Sequence, residues 1–117
     1  MIGDLDTHDE VCRQLASQSG AVVVSVDYRL GPEARFPAAT DDAWSAFEWV
    51  VANRGGICGD PDAKVCVSGD SAGGNLAAVV ALMARDAGID LAAQLLIYPA
   101  TDMTQEGYPS LLSLIHI

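Results

Sequence analysis

The stretch that decides the fold runs from Lys64 to Asn75 and reads KVCVSGDSAGGN. Its beginning, Lys64 to Ser68, is a short valine-rich run that predicts a β-strand, and the glycines after it predict a sharp turn. The residues from Asn75 to Ala84 are apolar nearly all round a helical wheel, which predicts a buried helix. A strand, a turn and a buried helix in direct succession indicate an α/β protein with a parallel sheet.

Two amphipathic helices are predicted before this stretch. The first runs from about Thr7 to Ser19, and Thr7 followed three residues later by Glu10 predicts its capping box. The second carries Trp44 and Phe47 on its apolar face, and both aromatic side chains are interpreted as core residues rather than as a platform for a ligand.

Two further strands are predicted, at Ala21–Val26 and Ala93–Tyr98. Both are apolar runs without polar alternation, as in strands that are covered on both faces. With the central strand they give three parallel strands alternating with helices in a doubly wound sheet, linked by right-handed crossovers. Because three parallel strands leave two unpaired edges, we expect a sheet that is truncated at both ends.

Composition limits the class of protein. Half of the 117 residues are apolar and 19% are charged, which indicates one folded domain or part of one and excludes disordered and fibrous chains. The net charge of −10, with no Lys/Arg cluster, disfavours nucleic acid as a partner. No apolar stretch approaches the roughly 18 residues of a membrane span, and Cys12, Cys58 and Cys66 have no metal-ligand spacing. We expect a cytoplasmic protein without a metal or cofactor.

The glycine-rich turn carries the candidate chemistry. Its residues match G-x-S-x-G, the nucleophile elbow found between a strand and a helix, in which a strained serine projects its hydroxyl above the sheet. The glycines would allow close approach of helix and strand, and the amide after the serine would face an oxyanion at the helix start. The alternative is a turn that only begins a helix or binds an anion. Of the glycines, Gly69 and Gly73 are the two predicted to allow the close approach. The predicted site residues are Ser71 as nucleophile, Ala72 in the oxyanion hole, and Gly69, Asp70, Gly73 and Gly74 in the elbow.

Other polar residues receive structural interpretations. Arg29 and Glu33 are predicted to form an ion pair near the elbow. Asp41 and Asp42 lie early in the second helix, where the helix dipole favours acids, and are not read as paired catalytic carboxylates. His8, in the first turn of the first helix, is interpreted as an exposed polar residue and not as a catalytic base.

Three segments together resemble the hormone-sensitive-lipase group of α/β-hydrolases. They are GDSAGGN at Gly69–Asn75, DYRLGPE at Asp27–Glu33 and LIYP at Leu96–Pro99. The resemblance extends from about Gly3 to about Tyr108. It implies a partial α/β-hydrolase fold, with residues 1–110 as the central part of one domain and residues 111–117 as a tail of doubtful origin.

The resemblance also implies a function. In that family the serine that corresponds to Ser71 is the nucleophile of a Ser-His-Asp triad that hydrolyses carboxylic esters through an acyl-enzyme. The family's HGGG segment, which completes the oxyanion hole, is expected before Gly3, and its acid and base are expected beyond Tyr108. The sequence therefore predicts an incomplete fragment that is inactive alone. Asp102 and His116 stand in the family's order, but they are too close in sequence for a return to the same sheet edge and are not expected to complete a triad.

Two functions of different classes stay open at this point. The first is a serine-dependent carboxylic ester hydrolase, an esterase or lipase with a small-molecule ester substrate, from which an amidase or deacetylase cannot be separated by sequence. The second is a non-catalytic small-molecule-binding module, because the family also resembles plant gibberellin receptors, which keep the fold and the serine but lack the catalytic histidine.

Overall fold

The structure, a computed structural model, describes residues 3–102. This part of the chain contains four helices and two strands. In chain order they are α1 (Leu5–Ser19), α2 (Ala38–Ala52), α3 (Arg54–Cys58), β1 (Cys66–Asp70), α4 (Ala72–Asp86) and β2 (Ala93–Ile97). None of the described helices is both long and apolar enough to cross a membrane. The residues after Asp102, including the predicted tail 111–117, lie outside the described range.

The two strands form a parallel pair around the predicted turn. β1 and β2 run in register, with Cys66 opposite Ala93 and Asp70 opposite Ile97, and α4 connects them as the crossover helix. The α/β class with parallel strands is therefore confirmed. The described sheet nevertheless has two strands rather than the predicted three.

The missing strand is the valine run at residues 21–26. These residues lie before α2 but form no part of the sheet within residues 3–102, and Val22 and Val24 are 58% and 42% exposed. This run and β1 both line a cleft of about 1170 Å³. The run has no strand paired with it in the described sheet, although its residue types favour a strand.

The core lies where α2 packs against α4. Phe47, Val80 and Ala84 are buried, with 5%, 3% and 0% of their surface exposed. Trp44 packs against this cluster with its ring centroid 5.4 Å from that of Phe47, so the prediction of a core role for these aromatics is confirmed. The cluster holds α4 beside the sheet and thereby orients the first turn of that helix.

The first helix begins earlier than predicted. Asp4 is its N-cap, and the capping box joins Asp4 to Thr7 rather than Thr7 to Glu10. The Asp4 carboxylate accepts the Thr7 N–H at 2.8 Å, and the Thr7 hydroxyl oxygen accepts the Asp4 N–H at 2.8 Å. Two backbone N–H groups at the helix start are satisfied in this way. Because α1 begins at Leu5, His8 lies on its first turn.

The loop before α2 is anchored by an ion pair that differs from the predicted one. Arg29 binds Asp42 on α2, not Glu33: its Nε and one guanidinium NH₂ group each donate to the carboxylate at 2.8 Å, and its backbone N–H donates at 2.9 Å. The fork of the guanidinium matches a carboxylate better than a single contact would. These bonds lower the pKa of Asp42 to about 2, chiefly through the Arg29 side chain.

Candidate active site

Ser71 occupies the turn between β1 and α4. β1 ends at Asp70 and α4 begins at Ala72, so a single residue connects the strand to the helix. Ser71 has φ 52° and ψ −115°, a left-handed conformation that L-residues adopt only under strain. The side chain is exposed, and within residues 3–102 its hydroxyl has no hydrogen-bond partner. The predicted strained serine between a strand and a helix is confirmed.

Three backbone hydrogen bonds hold this strained turn. The Ser71 N–H donates to the Ile97 carbonyl of β2 at 3.0 Å, and the Ser71 carbonyl accepts from Asn75 and Ala100, each at 3.1 Å. The Asn75 side-chain amide also donates to the Ala100 carbonyl at 2.7 Å. Asn75 thus links the first turn of α4 to the loop after β2, a role that was not predicted from the sequence.

Two glycines allow the helix to approach the strand. A methyl group on Gly69 would overlap the carbonyl of Gly73 and lie 2.7 Å from the nitrogen of Gly74. On Gly74 it would lie 2.9 Å from Cβ of Pro99. On Gly73 the nearest atom would be the Tyr28 hydroxyl at 3.9 Å, an ordinary contact. The structure therefore requires glycine at 69 and 74, and the prediction that Gly73 allows the close approach was wrong.

The start of α4 provides a candidate oxyanion site. Ala72 is the first residue of the helix, so its N–H has no partner in the helical hydrogen-bond ladder. The first turn of α4 contains no acidic residue, which leaves the positive end of the helix dipole uncompensated there. An anion that forms beside Ser71 would meet this N–H and this dipole.

Asp70, one of the predicted elbow residues, binds His8. The Nε2 atom of His8 lies 3.1 Å from Oδ1 and 3.2 Å from Oδ2 of Asp70, and both side chains are part-exposed. The hydrogen bond and the negative charge of Asp70 raise the pKa of His8 above its ordinary value. The interpretation of His8 as a plain exposed residue was wrong, because its imidazole contacts Asp70. It does not contact the Ser71 hydroxyl.

Tyr28 forms another wall of the site. It is half-buried, and its hydroxyl is the group that a methyl on Gly73 would meet. Burial, and then the charge of Asp70, raise the pKa of Tyr28 above 10, so its hydroxyl stays protonated at neutral pH. The cleft beside β1 reaches Tyr28, Ser71 and Ala72. Among residues 3–102 no group of three His, Cys, Asp or Glu side chains could hold a metal ion.

A family model described as the alpha/beta hydrolase fold matches residues 1–113 of the chain. The chain belongs to the α/β-hydrolase family. The resemblance inferred from its three motifs is thereby confirmed. Esterase LipI of Mycobacterium tuberculosis is 52% identical over 112 residues, which make up 95% of this α/β-hydrolase chain and 34% of that protein.

Two other relatives represent different functions. The solved structure of a hyperthermophilic esterase from the archaeon Pyrobaculum calidifontis is 54% identical, with a TM-score of 0.89, and the match covers 96% of this chain and 37% of that one. A gibberellin receptor of Oryza sativa subsp. japonica is 45% identical over 93 residues, 77% of this chain and 26% of the receptor. The α/β-hydrolase chain described here thus spans about a third of the length of its relatives.

Proposed function

We propose that this chain carries the nucleophile of a carboxylic ester hydrolase, with Ser71 as the attacking residue. The observation that carries the proposal is the strained, exposed Ser71 between a parallel strand and the free N-terminus of a helix. Strain of this kind costs of order 1–3 kcal/mol, persists only when the surrounding structure imposes it, and is concentrated at functional sites. The relatives that are esterases, at about 50% sequence identity, support ester hydrolysis as the function of this site.

The geometry supports a two-step reaction. The Ser71 oxygen attacks the ester carbonyl carbon while a general base takes the hydroxyl proton. The carbonyl oxygen becomes negatively charged, and the Ala72 N–H at the positive end of α4 stabilises it. Collapse of this intermediate breaks the bond to the alcohol, which leaves with a proton and gives an acyl-serine. Water then attacks the acyl-serine, releases the carboxylic acid and restores the Ser71 hydroxyl.

The base in this proposal comes from outside residues 3–102. The one histidine in that range, His8, is bonded to Asp70. Asp102 lies at the end of the described range and His116 beyond it, so the prediction that they do not complete a triad stays a prediction. A serine without its base is a weak nucleophile, and we therefore propose that the isolated chain does not hydrolyse esters.

The test uses a chimera, in which residues 3–102 replace the matching segment of the Pyrobaculum calidifontis esterase. We expect the chimera to hydrolyse a short-chain 4-nitrophenyl ester and Ser71→Ala to lower kcat at least about a thousandfold, because no other nucleophile lies at the turn. Ser45→Ala, at an exposed position on α2, is the matched control and should keep kcat within about threefold. Near-parental turnover by a folded Ser71→Ala chimera would contradict the proposal.

A receptor-like binding module is the second candidate, favoured by the similarity to the gibberellin receptor. It predicts saturable binding of the aryl ester, followed by calorimetry, without release of nitrophenol by the natural protein that contains this chain; the chimera does not test it, because the esterase supplies the segments outside residues 3–102. Ser71-dependent release of nitrophenol would exclude this alternative.

A further inference from the structure

The ion pair between α1 and the elbow places a charge beside the proposed reaction centre. Asp70 immediately precedes Ser71, and it lines the same cleft as Ser71 and Ala72. An unpaired carboxylate there would repel the oxyanion that the helix start is placed to stabilise. The imidazole of His8, at 3.1 Å from Asp70, is positioned to neutralise that charge.

The hydrogen bonds around His8 fit its protonated form. The Thr7 hydroxyl oxygen lies 3.0 Å from Nδ1 of His8, accepts the Asp4 N–H, and lies 3.0 Å from the Asp4 carbonyl oxygen. When the Thr7 hydroxyl donates to the Asp4 carbonyl, its oxygen accepts from a protonated Nδ1, as in the imidazolium; when it turns to donate to Nδ1, the ring is the neutral tautomer with its hydrogen on Nε2. In both cases Nε2 donates to the Asp70 carboxylate. Of the two forms, the hydrogen bond and negative charge of Asp70, together with Asp4, favour the imidazolium.

We propose that His8 is a positioning residue for the ester hydrolysis described above: its imidazolium binds Asp70, neutralises the carboxylate next to the oxyanion site and fixes the strand end that turns into Ser71. The inference rests on the proposed function. It assigns His8 to a positioning role, because the contact that its Nε2 atom makes is with the Asp70 carboxylate and not with the Ser71 hydroxyl.

The charged groups around the pair support the same arrangement. Asp4, at the N-cap of α1, and Asp70, at the end of β1, both favour the charged form of His8. Tyr28, on the segment before α2, responds to the charge of Asp70, so the field of that carboxylate extends to the hydroxyl beside Gly73. Neutralisation by His8 is fully present at pH values below the ordinary pKa of histidine and is lost as the pH rises through the raised pKa.

The kinetic test exploits rescue. In the chimera, we expect His8→Leu to lower kcat about tenfold with KM unchanged within about twofold, less than the hundredfold or more that follows loss of a direct oxyanion donor. Adding Asp70→Asn to His8→Leu removes the unpaired charge and should restore kcat to within about threefold of the unaltered chimera. A merely structural role would not give this rescue. Arg13→Gln, which breaks the exposed Arg13–Asp9 pair on the same helix, should leave kcat unchanged.

Two results would overturn the inference. One is a folded His8→Leu chimera whose kcat stays within twofold of the unaltered protein, and the other is a double variant that remains as slow as His8→Leu. If the unaltered chimera shows no Ser71-dependent hydrolysis, the proposed function fails. An NMR titration of His8 then tests the His8–Asp70 ion pair on its own. Asp70→Asn should then lower the pKa of His8 towards 6.5, and an unchanged histidine titration would show that the pair does not exist.

Discussion

Gly69→Ala is expected to damage both the stability and the activity of the elbow. The added methyl group would overlap the Gly73 carbonyl and lie 2.7 Å from the Gly74 nitrogen, and these are backbone atoms of α4 that cannot rotate away. An ordinary contact begins at 3.4 Å, so the first turn of α4 has to move by about 0.7 Å or more. Overpacking of this kind costs about 1–3 kcal/mol, and we expect a loss near the upper end of that range.

The same movement displaces Ser71, because its carbonyl accepts the N–H of Asn75 on α4. A misplacement of about 1 Å lowers rates by about a hundredfold, and we expect a loss of this size in kcat for the Gly69→Ala chimera. Guanidinium denaturation measures the change in the free energy of unfolding, and hydrolysis of the 4-nitrophenyl ester measures kcat.

Alanine substitutions at two other glycines are controls that distinguish the clash at Gly69 from other effects of replacing glycine by alanine. Gly56 on α3 has open space around it and no positive φ, so Gly56→Ala should stabilise the protein by about 0.5–1 kcal/mol. Gly20 also has open space but has φ 71°, so Gly20→Ala should cost about 1 kcal/mol without lowering kcat. A Gly69→Ala chimera within 0.5 kcal/mol of the unaltered protein, with kcat within threefold, would refute the role assigned to close packing.

Two further predictions concern the rest of the chain. Asp42→Asn should lower the denaturation midpoint at pH 7, because the folded-state pKa of Asp42 is about 2 against an ordinary 3.8. The difference in midpoint from the unaltered protein should vanish as the pH falls from about 4 to about 2. A difference in midpoint that stays constant over that interval would show that the Arg29 pair is not responsible. The 117-residue chain alone should self-associate in size-exclusion chromatography, since β1 faces an open cleft and Val22 and Val24 are exposed, and a monodisperse monomer with a cooperative thermal transition would contradict this.

The elbow could be predicted from sequence because its determinants are local. A valine-rich strand, a glycine-rich turn and an apolar helix follow one another directly, and each implies its neighbour's geometry. The pattern alone could not show which second glycine is needed. That depends on Pro99, which follows β2 in the chain and lies close to Gly74 across the parallel pair, 25 residues away in sequence.

The ion pairs were missed or misassigned because they join distant segments. His8 and Asp70 are 62 residues apart, and no periodicity relates a helix start to a strand end at that separation. Arg29 was paired with Glu33 by proximity in sequence, whereas Asp42 on α2 offers the guanidinium two oxygens and the backbone a third bond. The valine run at residues 21–26 shows that strand propensity alone does not predict a strand. Such residues form a hydrogen-bonded ladder only when a neighbouring strand lies at the right distance.

The strained turn at Ser71 lies within the most local unit of the fold. All three hydrogen bonds to its backbone come from Ile97, Asn75 and Ala100, which belong to β1–α4–β2 or follow it directly. Segments separated by only one crossover meet at a small entropic cost. The backbone geometry of the nucleophile therefore depends on hydrogen bonds within residues 71–100, and the valine run at residues 21–26 contributes none of them.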